Sequence, residues 1–248
     1  MNLCFFKEMM SIYIWCSWYY YSARKEKFYP AGLPSSKWLM YYAEHFNTLE
    51  INSTFYKFPT LESLQKRYRS VPEGFRFTIK APKFLTHTKR MNNIGEDILL
   101  LYDRVEKWLT EKGLSILFQF PPSFVYTQEN LQNILSVDVS RITHVFEFRN
   151  MSRYRQDVYI ALQQAWIMWC NVSHPLFDDT YISSTPLIYL RMHGKKKLFK
   201  SAYWKEWLLP WITHLKREEA KDILVYFNNT WYGEAIHDAN LLKSLLYQ

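Results

Sequence analysis

The sequence predicts an α/β fold, a single TIM (β/α)8-type barrel. Three observations point there. Eight short segments rich in β-branched and aromatic residues recur along the chain, most of them followed by a helical stretch; 248 residues shared over eight units leave roughly 31 each, the scale of a (β/α)8 barrel. The segments end in polar residues, several in pairs two apart that share one face of a strand. Neither GxGxxG nor GxxxxGK[ST] is present, which argues against a doubly wound nucleotide-binding sheet.

Each element has a local reason. Residues 1–10 read as an N-terminal extension, with Met9 or Met10 as an alternative start, and 11–248 as one domain without a linker or low-complexity tract. Ser11–Cys16 (SIYIWC) is the first strand. Ser36 caps a helix to about Phe46, with Leu39, Tyr42, Ala43 and Phe46 on one stripe. Thr48–Asn52 is the second strand, and Thr60 caps a helix to about Ser70. Pro72 and Gly74 punctuate the chain before the third strand, Arg76–Lys80. Gly95–Lys112 is a helix with Gly113 suited to its C′ position. Ser115–Gln119 is the fourth strand, ended by two prolines, and Thr127 caps a helix to Leu135. His144–Asn150 (HVFEFRN) is the fifth strand: Val145, Glu147 and Arg149 face one way, and Phe146 and Phe148 face a helix layer. Arg155–Ala165 is the next helix, and Ile167–Ser173 the sixth strand. No helix is visible before Leu187–His193, the seventh strand. Tyr203–Arg217 is a helix with Pro210 inside it. Asp222–Asn228 is the eighth strand, expected to pair with the first and close the barrel, and Glu234–Tyr247 is the last helix.

Composition narrows the function classes. With 48% hydrophobic and 19% aromatic residues the chain can bury a large core. A net charge of +8 favours anionic partners. Cys4, Cys16 and Cys170 form no CxxC pair, so a reducing, cytoplasmic setting is expected. The apolar run Ile12–Tyr21 is too short to span a bilayer and has no basic segment before it, so no membrane segment is expected. No GxSxG elbow or Ser-His-Asp order supports serine hydrolysis. No HExxH, HxH or CxxC is present; a metal would need Glu50, His87, Glu147 and His193 to converge, and neither metal nor cofactor is expected.

Barrel enzymes place their chemistry at the C-terminal ends of the strands. The candidate ligand-binding residues there are Asn52, Tyr56, Lys80, His87, Gln119, Arg149, Arg191, Asn228 and Asn229. Three cations among neutral amides suit a phosphate or carboxylate carrying hydroxyls. Glu50, Glu147 and His193 are the candidate catalytic groups. Equally, each glutamate can simply neutralise an arginine. Glu147 is expected to bridge to Arg149 or Arg191 and stay ionised, leaving Glu50 the better general acid or base. Loop aromatics (Phe55, Tyr56, Phe124, Tyr203, Trp231, Tyr232) can stack a sugar or base. The GKKK run at 194–197 can close over an anion.

Six blocks, LEINSTFYKFP (49–59), FTIKAPKFLTH (77–87), LFQFPPSF (117–124), FEFRN (146–150), YLRMHG (189–194) and YFNN (226–229), resemble the signature blocks of the YecE-like family of TIM-barrel proteins, a domain of unknown function. The resemblance covers roughly residues 11–248. It implies a barrel similar to the xylose isomerase and endonuclease IV superfamily, and with it sugar or nucleic-acid chemistry. Three positions depart from the pattern. Trp15-Cys16-Ser17-Trp18 stands for a block resembling G-T-S-G-W, Arg153 for a tryptophan, and Ser173 for an acidic residue, so altered activity is an expectation for this chain.

The sequence therefore leads to an anionic, hydroxylated small ligand, a phosphorylated sugar or nucleotide-like molecule, bound at the barrel mouth with metal-independent acid/base chemistry. The competing expectation is a non-catalytic barrel that binds nucleic acid.

Overall fold

The computed structural model describes residues 11–16, 28–58, 60–183, 187–217 and 222–248. The N-terminal extension 1–10 and the Ser17–Trp18 departure lie outside the described residues. Eight parallel strands run β1 Ser11–Cys16, β2 Thr48–Ile51, β3 Arg76–Lys80, β4 Gly113–Gln119, β5 Thr143–Glu147, β6 Met168–Ser173, β7 Leu187–Met192 and β8 Asp222–Phe227. Their order around the sheet is β1-β8-β7-β6-β5-β4-β3-β2. Among the described residues seven α-helices lie between or after them: α1 Trp38–Ala43, α2 Leu61–Arg69, α3 Gly95–Leu109, α4 Gln128–Leu135, α5 Gln156–Gln164, α6 Lys205–Arg217 and α7 Glu234–Leu246. This is the TIM-barrel architecture. Among the described residues no helix follows β6, as the sequence leads one to expect, and none is long and apolar enough to cross a membrane.

The barrel is nearly closed. β8 pairs with β1 over six residue pairs, from Ser11–Asp222 to Cys16–Phe227. Among the described residues no ladder joins β1 to β2. β2 has only four residues. At the seam Asn47 Nδ2 donates to the Ile12 carbonyl at 2.9 Å.

Alternation sorts the side chains. Outward, Phe118, Phe120, Phe146, Phe148 and Trp169 form an aromatic layer, with Phe120 and Phe148 stacked at 5.2 Å. Inward, the barrel core is polar. The Tyr226 hydroxyl hydrogen-bonds with Thr48 Oγ1 at 3.2 Å and Thr78 Oγ1 at 2.9 Å, and Thr78 Oγ1 with Ser115 Oγ at 2.8 Å. Every one of these hydroxyls is buried, and pairing them inside the barrel removes the cost of stranding them there. Trp15 lies edge-on to Tyr226 at 5.2 Å and fills the space beside it.

The Thr60 and Thr127 side chains cap α2 and α4, accepting from Ser63 N and Asn130 N. Pro210 sits inside α6. The expectation for Gly113 is corrected. α3 ends at Leu109, Thr110 takes the positive φ (42°), and Gly113 is extended (φ −77°) at the start of β4. Glycine fits there because a Cβ would lie 3.3 Å from both Leu109 Cβ and Val105 Cγ1. The fifth strand is also shorter than expected, ending at Glu147 rather than Asn150.

Candidate functional site

Parity brings the polar strand ends together. Glu50 and Thr78 are register partners, as are Lys80 and Leu117, Gln119 and Glu147, and Arg191 and Tyr226. Register partners in a parallel ladder share a face, so Glu50, Lys80, Gln119, Glu147 and Arg191 all point inward near the C-terminal ends.

Above them is a cleft of about 470 Å³. Its lining includes Asn52, Tyr56, Lys80, His87, Gln119, Arg149, Arg191, His193 and Asn228 from the sequence candidates. Phe55 and Trp231 line it as well. Phe199 and Thr230, which sequence reasoning missed, complete it. Glu50 and Glu147 are buried below the lining residues as their counter-ions. Asn229 leaves the set. Being next to Asn228 it faces the other way, and its Nδ2 donates to Asp238 Oδ2 at 2.6 Å and to the Ser201 carbonyl at 2.9 Å. Phe124 and Tyr203 leave it too, both being buried in the outer layers. The GKKK lysines turn elsewhere: Lys195 pairs with Asp179 at 2.5 Å and Lys196 lies over Trp207.

The charges form one network. Glu147 accepts from Arg149 Nε and Gln119 Nε2 on Oε1, and from Arg191 Nη1 on Oε2. Glu50 accepts from Arg191 Nη2 and from the Tyr189 hydroxyl, each at 2.7 Å. Arg191 is thus a strut between carboxylates on β2 and β5. Burial pushes the Glu147 carboxyl up, but Arg149 and Arg191 outweigh it and hold it well below the ordinary carboxylate range. Both oxygens of each glutamate are occupied, which suits orienting groups.

Lys80 differs. Its Nζ donates to Gln119 Oε1 at 2.6 Å and lies 4.1 Å from the centroid of the Phe55 ring. Among the described residues no carboxylate comes within ion-pair distance of it. Burial, with Arg191 and Arg149 nearby, brings its amine down to about 7.

The two histidines of the cleft are held below the ordinary histidine range. His193 Nε2 faces Arg149 Nη2 at 3.0 Å, which assigns the ring proton to Nδ1; Glu147 Oε1 is farther, at 3.4 Å. Burial and Arg149 hold this ring well below the ordinary histidine range. His87 is carried to the cleft by a one-turn π-helix, Phe84–Thr88, that the sequence reading did not include. Burial and Lys80 bring it to about 4. Among the described residues no three His, Cys, Asp or Glu side chains form a metal-donor group.

Of the departures, Trp15, Arg153 and Ser173 do not line the cleft. Trp15 is below it. Arg153 is fully buried outside the barrel over the Phe124 ring, donating Nη2 to the Val125 carbonyl. Ser173 is fully buried on the outward parity of β6.

The Phe199 wall depends on Gly194. This glycine has φ +101°, and a Cβ there would sit 2.6 Å from the Lys197 carbonyl and 2.9 Å from Ser201 Oγ. Phe199 N donates to the His193 carbonyl at 2.6 Å and folds the loop back on the strand end. Gly194→Ala is expected to cost roughly 1–3 kcal/mol from backbone strain. A denaturant midpoint equal to that of the unsubstituted protein would contradict this.

Comparison with known proteins agrees with the fold. A family model described as "Protein of unknown function DUF72" matches residues 13–248. UPF0759 protein YunF of Bacillus subtilis (strain 168) is 26% identical over 261 aligned positions, covering 89% of this chain and 90% of that protein. A crystal structure of a DUF72 family protein from Thermotoga maritima MSB8 superposes with a TM-score of 0.86 at 26% identity, covering 96% of this chain and 100% of that one. A DUF72 family protein from Enterococcus faecalis V583 gives a TM-score of 0.80 at 20% identity, covering 96% of each chain, a likeness of fold.

Proposed function

The chain belongs to the DUF72 family of uncharacterised TIM-barrel proteins, and from that premise we propose that its cleft binds a small anionic, hydroxylated ligand, a phosphorylated sugar or nucleotide-like molecule. The narrower YecE-like name and a cytoplasmic setting belong to the same reading. One observation carries it: the site holds three cations, Lys80, Arg149 and Arg191, against two carboxylates, Glu50 and Glu147, and the cation without a carboxylate partner faces the cleft. Arg149 adds a donor, since among the described residues its Nη1 makes no hydrogen bond. Tyr56 and Trp231, 75% and 52% exposed, give the rim apolar faces on which a sugar or base can stack. Any acid/base step falls to Lys80 and His87, which line the cleft; Glu50, Glu147 and His193 orient the cations.

Binding should be coupled to proton uptake. An anion favours the charged amine and raises the Lys80 pKa from about 7. Between pH 7 and 8 the complex therefore takes up protons, and affinity weakens as pH rises through this window. Calorimetry with glycerol 3-phosphate in two buffers of different ionisation enthalpy reads the uptake directly. Arg149→Met should lower the affinity at least tenfold, about 1.4 kcal/mol. Millimolar glycerol 3-phosphate giving no heat, or binding that releases protons, would overturn the reading.

The net charge of +8 together with the exposed rim aromatics favours a second reading, single-stranded nucleic acid bound without turnover. Its signature is an affinity that falls steeply with salt, with a log–log slope of roughly −0.7 per phosphate contacted.

A further inference from the structure

We propose that Lys80 is an imine-forming amine and that the ligand of the cleft is a phosphorylated aldehyde or ketone whose carbonyl carbon Nζ attacks. This rests on the anion-binding reading above and deepens it.

The placement of Nζ is the first argument. Lys80 is the last residue of β3 on the inward face, 9% exposed, with its side chain lining the cleft. Its recorded polar partner is the neutral Gln119 carbonyl oxygen. The same amide donates through Nε2 to Glu147, which fixes its orientation and keeps an acceptor on the amine. Both carboxylates of the site are held by arginines, so neither stabilises the ammonium by direct pairing. The Phe55 ring covers one side of Nζ. A lysine serving only as a point charge has no need of this. An amine desolvated beside other cations is the arrangement that yields a lysine nucleophile. Burial and the neighbouring cations bring its amine down to about 7, so far more of it carries a free lone pair at pH 7.4 than in an ordinary lysine, of which roughly one part in a thousand is neutral; a phosphate held at Arg149 favours the ammonium, and the amine attacks from its neutral fraction.

The step balances without an added oxidant or reductant. The Nζ lone pair bonds the carbonyl carbon as the C=O π pair moves to oxygen. The two amine protons pass to that oxygen, the C–O bond breaks, and water leaves a neutral imine; one proton from solvent then gives the iminium. His87 contacts the same Phe55 ring as Lys80, 5.2 Å between centroids, and is neutral, so it is the base in the cleft that can relay the amine proton. Arg149 is placed to hold the phosphate.

The test is reductive trapping. The full chain is incubated at pH 7.4 with dihydroxyacetone phosphate, and in parallel with glyceraldehyde 3-phosphate, then reduced with borohydride and read by intact mass and peptide mapping. One adduct per chain on Lys80 is expected. Labelling should be at least tenfold weaker with unphosphorylated dihydroxyacetone and should be lost in Lys80→Arg, a thermal melt confirming that the variant folds. Glycerol 3-phosphate, which has no carbonyl, is titrated beside it. If it binds while neither carbonyl probe labels Lys80 above the other lysines, the imine fails and the anion site stands. If Lys80 is labelled equally with and without the phosphate, and glycerol 3-phosphate does not bind, the imine stands and the anion reading fails. If nothing binds and nothing labels, both fall.

Discussion

Arg191→Met is expected to destabilise the fold by roughly 3–5 kcal/mol, the cost of breaking a buried pair by removing one partner. For a chain of this size that is a fall in melting temperature of roughly 6–20 °C. Arg191 is 3% exposed and its two Nη groups reach carboxylates on different strands. Without it Glu147 keeps Arg149 and Gln119, whereas among the described residues Glu50 keeps only the Tyr189 hydroxyl. Glu50 is 2% exposed, so water cannot replace the lost donor. Adding Glu50→Gln and Glu147→Gln to Arg191→Met removes the stranded charges and should recover much of the loss. A single variant that melts with the unsubstituted protein would show that the strut carries no load.

The second large effect is on acid stability, which should begin to fall near pH 6.5 rather than near the carboxylate range. His144 is fully buried; its Nε2 meets the Tyr102 hydroxyl at 2.7 Å, that hydroxyl donates to the Asp138 carbonyl, and among the described residues Nδ1 has no hydrogen-bond partner. Burial, partly offset by Asp138, brings the ring to about 3. His193 is also held well below its ordinary value, by burial and Arg149. A depressed histidine is neutral in both states above the unfolded pKa of about 6.5, so its full contribution is present there. As pH falls through 6.5 the unfolded chain takes up the proton and the folded chain does not. Stability then drops by about 1.4 kcal/mol per pH unit per histidine until the folded pKa is reached. At pH 5 His144 alone should cost about 2 kcal/mol, and His193 adds to it in the same direction. The depressed amine of Lys80 acts in the window from about 7 upward, and Glu147 acts only below its unfolded value, so pH 6.5 to 4.5 belongs to the histidines. Urea unfolding across that window checks it, with His144→Gln expected to lower the slope by about 1.4 kcal/mol per pH unit. A flat profile down to pH 4.5 would refute the account.

Period-two alternation was the most legible feature. Glu147 and Arg149, and Arg191 and His193, are two apart, and each pair meets at the same mouth because a strand repeats its face every second residue. The same rule marks Asn228 and Asn229 as opposed, and the structure places only Asn228 at the cleft. Cap chemistry at Thr60 and Thr127 was legible because a hydroxyl before a helix has a short-range task. What escaped depends on long-range distances or rare backbone. Nothing local announces that the Tyr189 hydroxyl fills the second oxygen of Glu50, 139 residues away in sequence. The π turn that delivers His87 has no compositional signature, and Phe199, just past the GKKK run, reaches the cleft through a backbone turn of positive φ (61°) that nothing in the sequence marks.

The seam between β1 and β2 gives the cleft a mechanical role. A barrel whose staves are all hydrogen-bonded needs no help from its contents, but among the described residues one hoop is missing, and inward side chains take its place. Arg191 and Tyr189 on β7 grip Glu50 on β2, and Tyr226 on β8 grips Thr48 on the same strand. The chord drawn across the lumen does the work of the absent ladder. In this chain the groups that face a ligand are also part of the wall, so drift in the chemistry of the mouth is bounded by the need to keep the vessel shut.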